Sequence, residues 1–360
     1  MTSLGSLQEQ GQSPWLDNLR RDWLQDGTLT TWVESGIRGL TSNPSIFQKA
    51  IAGSDLYDAQ FDEVTASGAS VVDAYWALVK SDIAGALAAL RGVHDTSNGT
   101  DGFVSVEVDP SLADDTDGTV EAARELHTSI DEPNLMVKIP GTAAGLPAIR
   151  QMISEKRSIN VTLIFSVERY RDVMEAYISG LEAAEGDLSS VASVASFFIS
   201  RVDSEVDGRL EEIATPEALA VRGKAAVAQA QAAYCAFLDT FSGPRWHALA
   251  KRGAQVQRPL WASTSTKNPD FPDTLYVDAL VGPNTVNTMP DATIEAFTDH
   301  GDATRSIDVE MPEALDTLAA ISAAGVDLAD VADVLEREGV KSFVDAFDDL
   351  LATLGAKAKY

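Results

Sequence analysis

The chain has 360 residues, 45% of them hydrophobic and 23% charged, enough for one large α/β barrel or two ordinary domains. Acidic residues outnumber basic ones 55 to 27, and a net charge of −28 repels nucleic acid and anionic lipid, both of which are bound by neutralising phosphate with Lys and Arg. A single cysteine, Cys235, excludes an internal disulfide and a multi-cysteine metal site. Residues 1–13 lack the basic start and apolar run of a signal peptide, and no stretch approaches the roughly 20 apolar residues that cross a bilayer. The expectation is a cytoplasmic protein without membrane or nucleic-acid partners.

Along the chain, short β-rich runs alternate with longer helical ones, the pattern of parallel βα units. Candidate strands are 15–19 and 37–43, followed by an Ala- and Leu-rich helix over 71–92. Further strands are predicted at 103–109, 135–139, 159–165 and 194–201, then an Ala/Gln-rich helix over 216–241, then strands at 259–264 and 274–280. From Met311 onward helix signals dominate. No linker, low-complexity tract or short repeat interrupts the alternation. The reading is therefore a single domain over 1–360, with about 1–14 as an N-terminal extension and 311–360 as helices packed on the body. Eight strand candidates suggest closure: an α/β protein, one (β/α)8 TIM barrel with additional C-terminal helices.

In a barrel, alternate strand residues face the interior, where bulky apolar side chains are the rule. Several strands here carry polar residues on one parity instead. Ser105, Glu107 and Asp109 share a face in "FVSVEVDP", Asn160 and Thr162 in "INVTLIF", and Ser196, Phe198 and Ser200 in "ASFFIS". An antiparallel sheet with one wet face gives the same alternation, but the long helical separators favour a polar barrel mouth.

Only ten lysines occur, so one in an apolar strand stands out: Lys138 in "NLMVKIPG". Burial lowers a lysine's pKa, and the neutral amine is the form that attacks a carbonyl. The plainer alternative is a stem packed on apolar surface with its head reaching solvent or a carboxylate. The Pro-Gly turn that follows sets Lys138 near a strand's C-terminal end, where barrel enzymes collect their catalytic groups.

Glu107 and Asp17 are candidate proton carriers, each in a short apolar run. Glu107 serves equally as partner to a nearby cation, and Asp17 as an N-cap before "NLRRDWL". Asn43, ahead of Pro44, reads as a turn and helix-start signal or as a hydroxyl-binding group, a role Asn160 shares. Arg201 follows a strand, and Lys267 lies in "WASTSTKNP" beside Ser263, where hydroxyls and a cation suit a phosphate dianion or make an ordinary polar loop. No GxGxxG or GxxxxGK[ST] occurs, and the four histidines stand apart with no HxH or HExxH, so nucleotide and metal chemistry lack their signatures. Cys235, in "QAAYCAFL", reads as a core residue.

The runs "GLTSNPSIF", "VSVEVDP", "NLMVKIPGTAAGLPAI", "SINVTLIFS", "SFFISRVD" and "LYVDALVGPNTVNTMP" together resemble the transaldolase family, specifically its longer bacterial branch. The resemblance implies a class I aldolase barrel without metal or organic cofactor. It implies transfer of a dihydroxyacetone unit from a ketose phosphate, sedoheptulose 7-phosphate or fructose 6-phosphate, to glyceraldehyde 3-phosphate or erythrose 4-phosphate, a step of the non-oxidative pentose phosphate pathway. By position in these motifs Lys138 is the Schiff-base lysine and Asp17 the acid/base for C–C cleavage. Glu107 acts with Thr162 through a water, Asn43 and Asn160 hold the intermediate with Ser196 nearby, and Arg201 binds phosphate. Many relatives carry a second phosphate-binding arginine in a Ser-Phe-Arg run after the seventh strand; here Ser263 is kept and Lys267 stands as the replacement charge. A simple aldolase releasing free dihydroxyacetone, and a catalytically silent sugar-phosphate-binding barrel, are the competing readings. The latter predicts loss of part of the Lys138, Asp17 and Glu107 set, all of which is present. Monomer and homodimer are both open.

Overall fold

A computed structural model describes residues 3–309 and 311–358. Eight parallel strands close a barrel in chain order: β1 (Gln12–Leu16), β2 (Gly39–Thr41), β3 (Phe103–Glu107), β4 (Leu135–Pro140), β5 (Ile159–Ile164), β6 (Ser193–Phe198), β7 (Arg258–Ala262) and β8 (Thr285–Met289). Closure is made by β1 on β8, where Gln12 stands against Thr285 and Leu16 against Met289. Every strand residue is buried, because helices cover the outside and side chains fill the inside. Among the described residues no helix is long and apolar enough to cross a membrane.

Three of the predicted strands are corrected. The last strand is not 274–280: Leu275–Asp278 is a short helix, and β8 lies further on. Tyr276, Val277 and Leu280 are all buried, a helical spacing that a short apolar run disguises as a strand, while "TVNTM" is too polar to announce one. The first strand begins earlier than residue 15, taking in Gln12, Ser13 and Pro14 from the supposed N-terminal extension; the helix Leu4–Glu9 precedes it. Asp17 thus falls just beyond the C-terminal end of β1, where its N–H donates to Met289 O at 2.8 Å. Residues 216–241 form two helices, Pro216–Leu219 and Ala225–Thr240. The strand predicted to 201 ends at Phe198, so Ser200 and Arg201 open the helix Ser200–Ile213.

Local rules set the elements that shape the mouth. Asn43 caps the helix Pro44–Ala52, its Oδ1 accepting from the Ile46 N–H at 2.9 Å, with Pro44 at the first helical position. Asp327 caps the long helix Leu328–Lys357 by accepting from the N–H groups of Ala329 and Asp330. In β5 the register shifts between Val161 and Ile164, with Leu163 in the left-handed region at φ 58°. Leu163 there meets Gly339 of the long helix, where an added Cβ would lie 2.9 Å from its Cδ2. That close approach lays the C-terminal helix beside the barrel's mouth.

Candidate active site

The residues at the strands' C-terminal ends surround a cavity of about 570 Å³. Asp17, Asn43, Lys138, Ser196, Arg201, Ser263 and Lys267 line it. Glu107, Asn160 and Thr162 do not; they are buried in the neighbouring strands.

Lys138, 4% exposed, stands between Glu107 on β3 and Asn160 on β5 in the sheet register. Its Nζ donates to Ser42 O at 3.3 Å and lies 3.7 Å from Glu107 Oε2. Neither Glu107 oxygen has a hydrogen bond among the described residues, and the buried Thr162 hydroxyl is likewise without a partner. Desolvation pushes the Glu107 carboxyl up to about 7, against the attraction of Lys138 and with a further push from Asp17. Near neutrality Glu107 therefore exists in both protonation states.

Asn160 is fully engaged: its Nδ2 donates to Ser105 Oγ at 2.9 Å, and its Oδ1 accepts from Ser196 Oγ at 2.7 Å. These bonds link β3, β5 and β6, so Asn160 reaches past β4 inside the barrel. Ser105, Asn160 and Ser196 of the polar parity thus face inward, whereas Asp109 caps the short helix Pro110–Leu112 and Ser200 lies beyond β6.

Asp17 caps no helix. The N-cap of Arg21–Asp26 is Arg20, and Asp17 Oδ1 instead accepts from Thr41 Oγ1 at 2.6 Å. Thr41 Oγ1 lies 2.7 Å from Thr288 Oγ1, a hydroxyl chain across β2 and β8 that orients the carboxylate. Asn43 keeps its capping role through Oδ1 and still lines the cavity.

On the opposite rim, Arg201 has no ion pair within 4 Å among the described residues, and its guanidinium sits 5.4 Å over the Phe198 ring. Burial holds it below its ordinary pKa, opposed by Glu338 and Asp17. Ser263, in the left-handed region at φ 56°, places Oγ 2.9 Å from Ser200 Oγ, and Lys267 Nζ donates to Ser265 Oγ at 3.0 Å. Lys267 likewise has no ion pair among the described residues, and both cations line the cavity.

Sequence reasoning missed Thr41, Thr288 and Phe343, which also line the cavity. Phe343 comes from the long C-terminal helix, which otherwise carried no functional reading. Its signal was present as Phe343 and Phe347, two aromatics four residues apart in an acidic helix. The other two are threonines in short strands, with no pattern that marks them.

Fold and cavity together define a (β/α)8 barrel with a polar cavity at the strands' C-terminal ends, the end at which barrel enzymes carry their active sites. The pattern of the transaldolase/fructose-6-phosphate aldolase family matches residues 14–354. A transaldolase of Mycolicibacterium smegmatis is 51% identical over 359 residues, covering 98% of this chain and 97% of its own. One of Frankia alni is 49% identical over 356 residues, covering 98% and 96%. Transaldolase 1 of Streptomyces coelicolor is 49% identical over 357 residues, covering 98% and 94%. The chain belongs to the transaldolase family and is an enzyme of that type.

Proposed function

We propose that the enzyme moves a dihydroxyacetone unit from sedoheptulose 7-phosphate or fructose 6-phosphate to glyceraldehyde 3-phosphate or erythrose 4-phosphate through an imine on Lys138. The observation that carries this reading is the pairing of Lys138 with Glu107, a carboxyl pushed up to about 7, beside a polar cavity with unpaired cations on its rim.

The neutral Lys138 amine attacks the ketose C2 carbonyl. Glu107, acting with Thr162 through a water, gives a proton to the departing C2 hydroxyl, and loss of water leaves the iminium. Asp17, oriented by Thr41, takes the proton from the C4 hydroxyl. The C3–C4 bond breaks, its electron pair passes into the iminium to give an enamine, and the aldose phosphate leaves. An incoming aldehyde is attacked by enamine C3 while Asp17 returns its proton to the new hydroxyl. Water then releases the ketose by the reverse of the first steps. Asn43 holds the intermediate from the cavity wall, and Asn160 with Ser196 braces it from the neighbouring strands. Arg201, with Ser263 and Lys267, meets the phosphate; Lys267 supplies a point charge where an arginine would bind in two-pronged fashion. Such a substrate places the enzyme in the non-oxidative pentose phosphate pathway.

Incubation with fructose 6-phosphate followed by borohydride reduction should leave a dihydroxyacetone-sized adduct on Lys138, located by peptide mass spectrometry and absent from Lys138→Ala. Adding erythrose 4-phosphate should give sedoheptulose 7-phosphate; release of free dihydroxyacetone instead would make simple aldol cleavage the reaction. An active enzyme with no adduct, or an adduct on another lysine, overturns the assignment.

A further inference from the structure

The helix that opens with Ser200 and Arg201 carries two buried carboxylates one turn apart, Asp203 and Asp207. Asp203 is 2% exposed, and both its oxygens are engaged. Oδ1 accepts from the Ala226 N–H and Oδ2 from the Tyr276 hydroxyl, each at 2.8 Å. Asp207 Oδ1 accepts from the Gly223 N–H at 2.8 Å. Gly223 has φ +69°, and an added Cβ would lie 2.5 Å from Phe271 Cζ, so the aromatic ring rests on that glycine.

Phe271 and Tyr276 belong to the β7–β8 connection, whose beginning carries Ser263 and Lys267. That beginning is pinned to the same helix, the Ser200 N–H donating to Ser263 O at 3.0 Å beside the Ser200–Ser263 hydroxyl contact. The connection is therefore held to the Arg201 helix at two points, Ser200 and Asp203. A carboxylate at the second point is unfavourable as packing: burial pushes Asp203 up to about 6, Asp207 adds like-charge repulsion, and no cation pairs with it among the described residues.

We propose that Asp203 is a positioning residue for the phosphate half of the site: by gripping Ala226 and Tyr276 it fixes the β7–β8 connection against the Arg201 helix and so sets the spacing of Arg201 and Lys267. This rests on the assignment of those two cations to substrate phosphate made above.

Inorganic phosphate, titrated calorimetrically into the full chain, is the probe, with Tyr276→Phe and Asp203→Asn as variants. Phosphate should bind about tenfold more weakly to Tyr276→Phe, in line with the sensitivity of bound geometry to small displacements. The KM for fructose 6-phosphate should rise by a similar factor while kcat stays within about twofold. Borohydride trapping of free dihydroxyacetone on Lys138, which needs no phosphate site, should keep its wild-type rate. A lower melting temperature with unchanged phosphate affinity overturns the proposal. So does an equal loss of dihydroxyacetone trapping, or a wild-type chain that binds no phosphate. If Asp203→Asn does not fold, Tyr276→Phe decides alone. Failure of the imine reading looks different: the wild-type chain binds phosphate yet traps nothing on Lys138, and the phosphate titrations still decide the role of Asp203.

Discussion

The two ends of the barrel each bury a cation beside a carboxylate, and the two pairs are built in opposite ways. At the strands' N-terminal ends, Arg258 Nη2 donates to Asp101 Oδ1 at 3.0 Å and to Thr100 O at 2.6 Å, while Nη1 donates to Ser13 Oγ at 2.8 Å. Ser13 Oγ in turn donates to Asp101 Oδ2 at 2.7 Å. At the C-terminal ends, Lys138 and Glu107 stand 3.7 Å apart, and both Glu107 oxygens lack hydrogen bonds among the described residues. A buried pair with its hydrogen bonds made is a rigid plug. A buried pair left short of them keeps a carboxyl titrating near neutrality and a lysine not locked in an ion pair. The first closes the barrel; the second is where chemistry is expected.

The largest effect should come from Lys138→Ala, with turnover of fructose 6-phosphate and erythrose 4-phosphate falling at least about 10⁴-fold, on the order of 5 kcal/mol of barrier. Its folding stability should change by less than about 1 kcal/mol, because Glu107 escapes the lost partner by staying protonated. Glu107→Gln should lower kcat by about 10³-fold, within the range of a lost general acid–base. It should also slow borohydride trapping, since imine formation is the step proposed for it. Arg258→Ala should do the reverse: kcat within about twofold, and stability lower by roughly 2 kcal/mol, because the half-buried Asp101 carboxylate loses its cation and Ser13 and Thr100 lose its hydrogen bonds. Denaturant unfolding of the three variants reads this directly. If Lys138→Ala loses as much stability as Arg258→Ala, the contrast between the two pairs is wrong.

The pH dependence sharpens the same contrast. Glu107 is raised from 4.5 to about 7, so between those values the folded chain binds a proton that the unfolded chain has released. Its contribution is complete below about pH 4.5 and is lost as pH rises through about 7, at most about 3 kcal/mol. Wild-type stability minus that of Glu107→Gln should show this fall over that interval. A flat difference would mean that Glu107 is ionised throughout.

How much of this was legible in the sequence follows the chemistry of each element. Glu107, Lys138, Asn160 and Ser196 sit on strands whose alternation is set by the pleat, so residue type and parity sufficed to put them inside a barrel. Asp17 is legible only through its motif, since the strand before it starts earlier than the apolar run suggests, and its orientation depends on Thr41 and Thr288, which are ordinary residues in any strand. Polar barrel interiors also hide strands: "TVNTM" was passed over for "TLYVDAL", an apolar segment that is helical. On the rim no period exists. Arg201 is read from its place after a strand and from the resemblance, Lys267 from a hydroxyl-rich turn, and the contact proposed to hold them, Asp203 on Tyr276, joins residues 73 apart in sequence.

The smallest effect belongs to Phe343, the one cavity residue from the C-terminal helix. That helix is tied down on either side of it, by Gly339 against Leu163 and by Phe347 edge-on to Tyr75 at 5.1 Å. Phe343 itself is 4% exposed and lines the cavity, so it packs the helix and walls the cavity at once. Phe343→Leu should cost roughly 1 kcal/mol of stability, as near-isosteric core changes do. If the wall role is real, the KM for fructose 6-phosphate should also rise about threefold, with kcat little changed, since the ring touches substrate and transition state alike. Leu350, fully buried on the same helix and absent from the cavity wall, separates the two roles. Leu350→Ala should lose roughly 2–4 kcal/mol of stability and leave KM alone. A KM that rises in both variants would mean that the helix acts through its overall docking, and that Phe343 has no part of its own in holding the sugar.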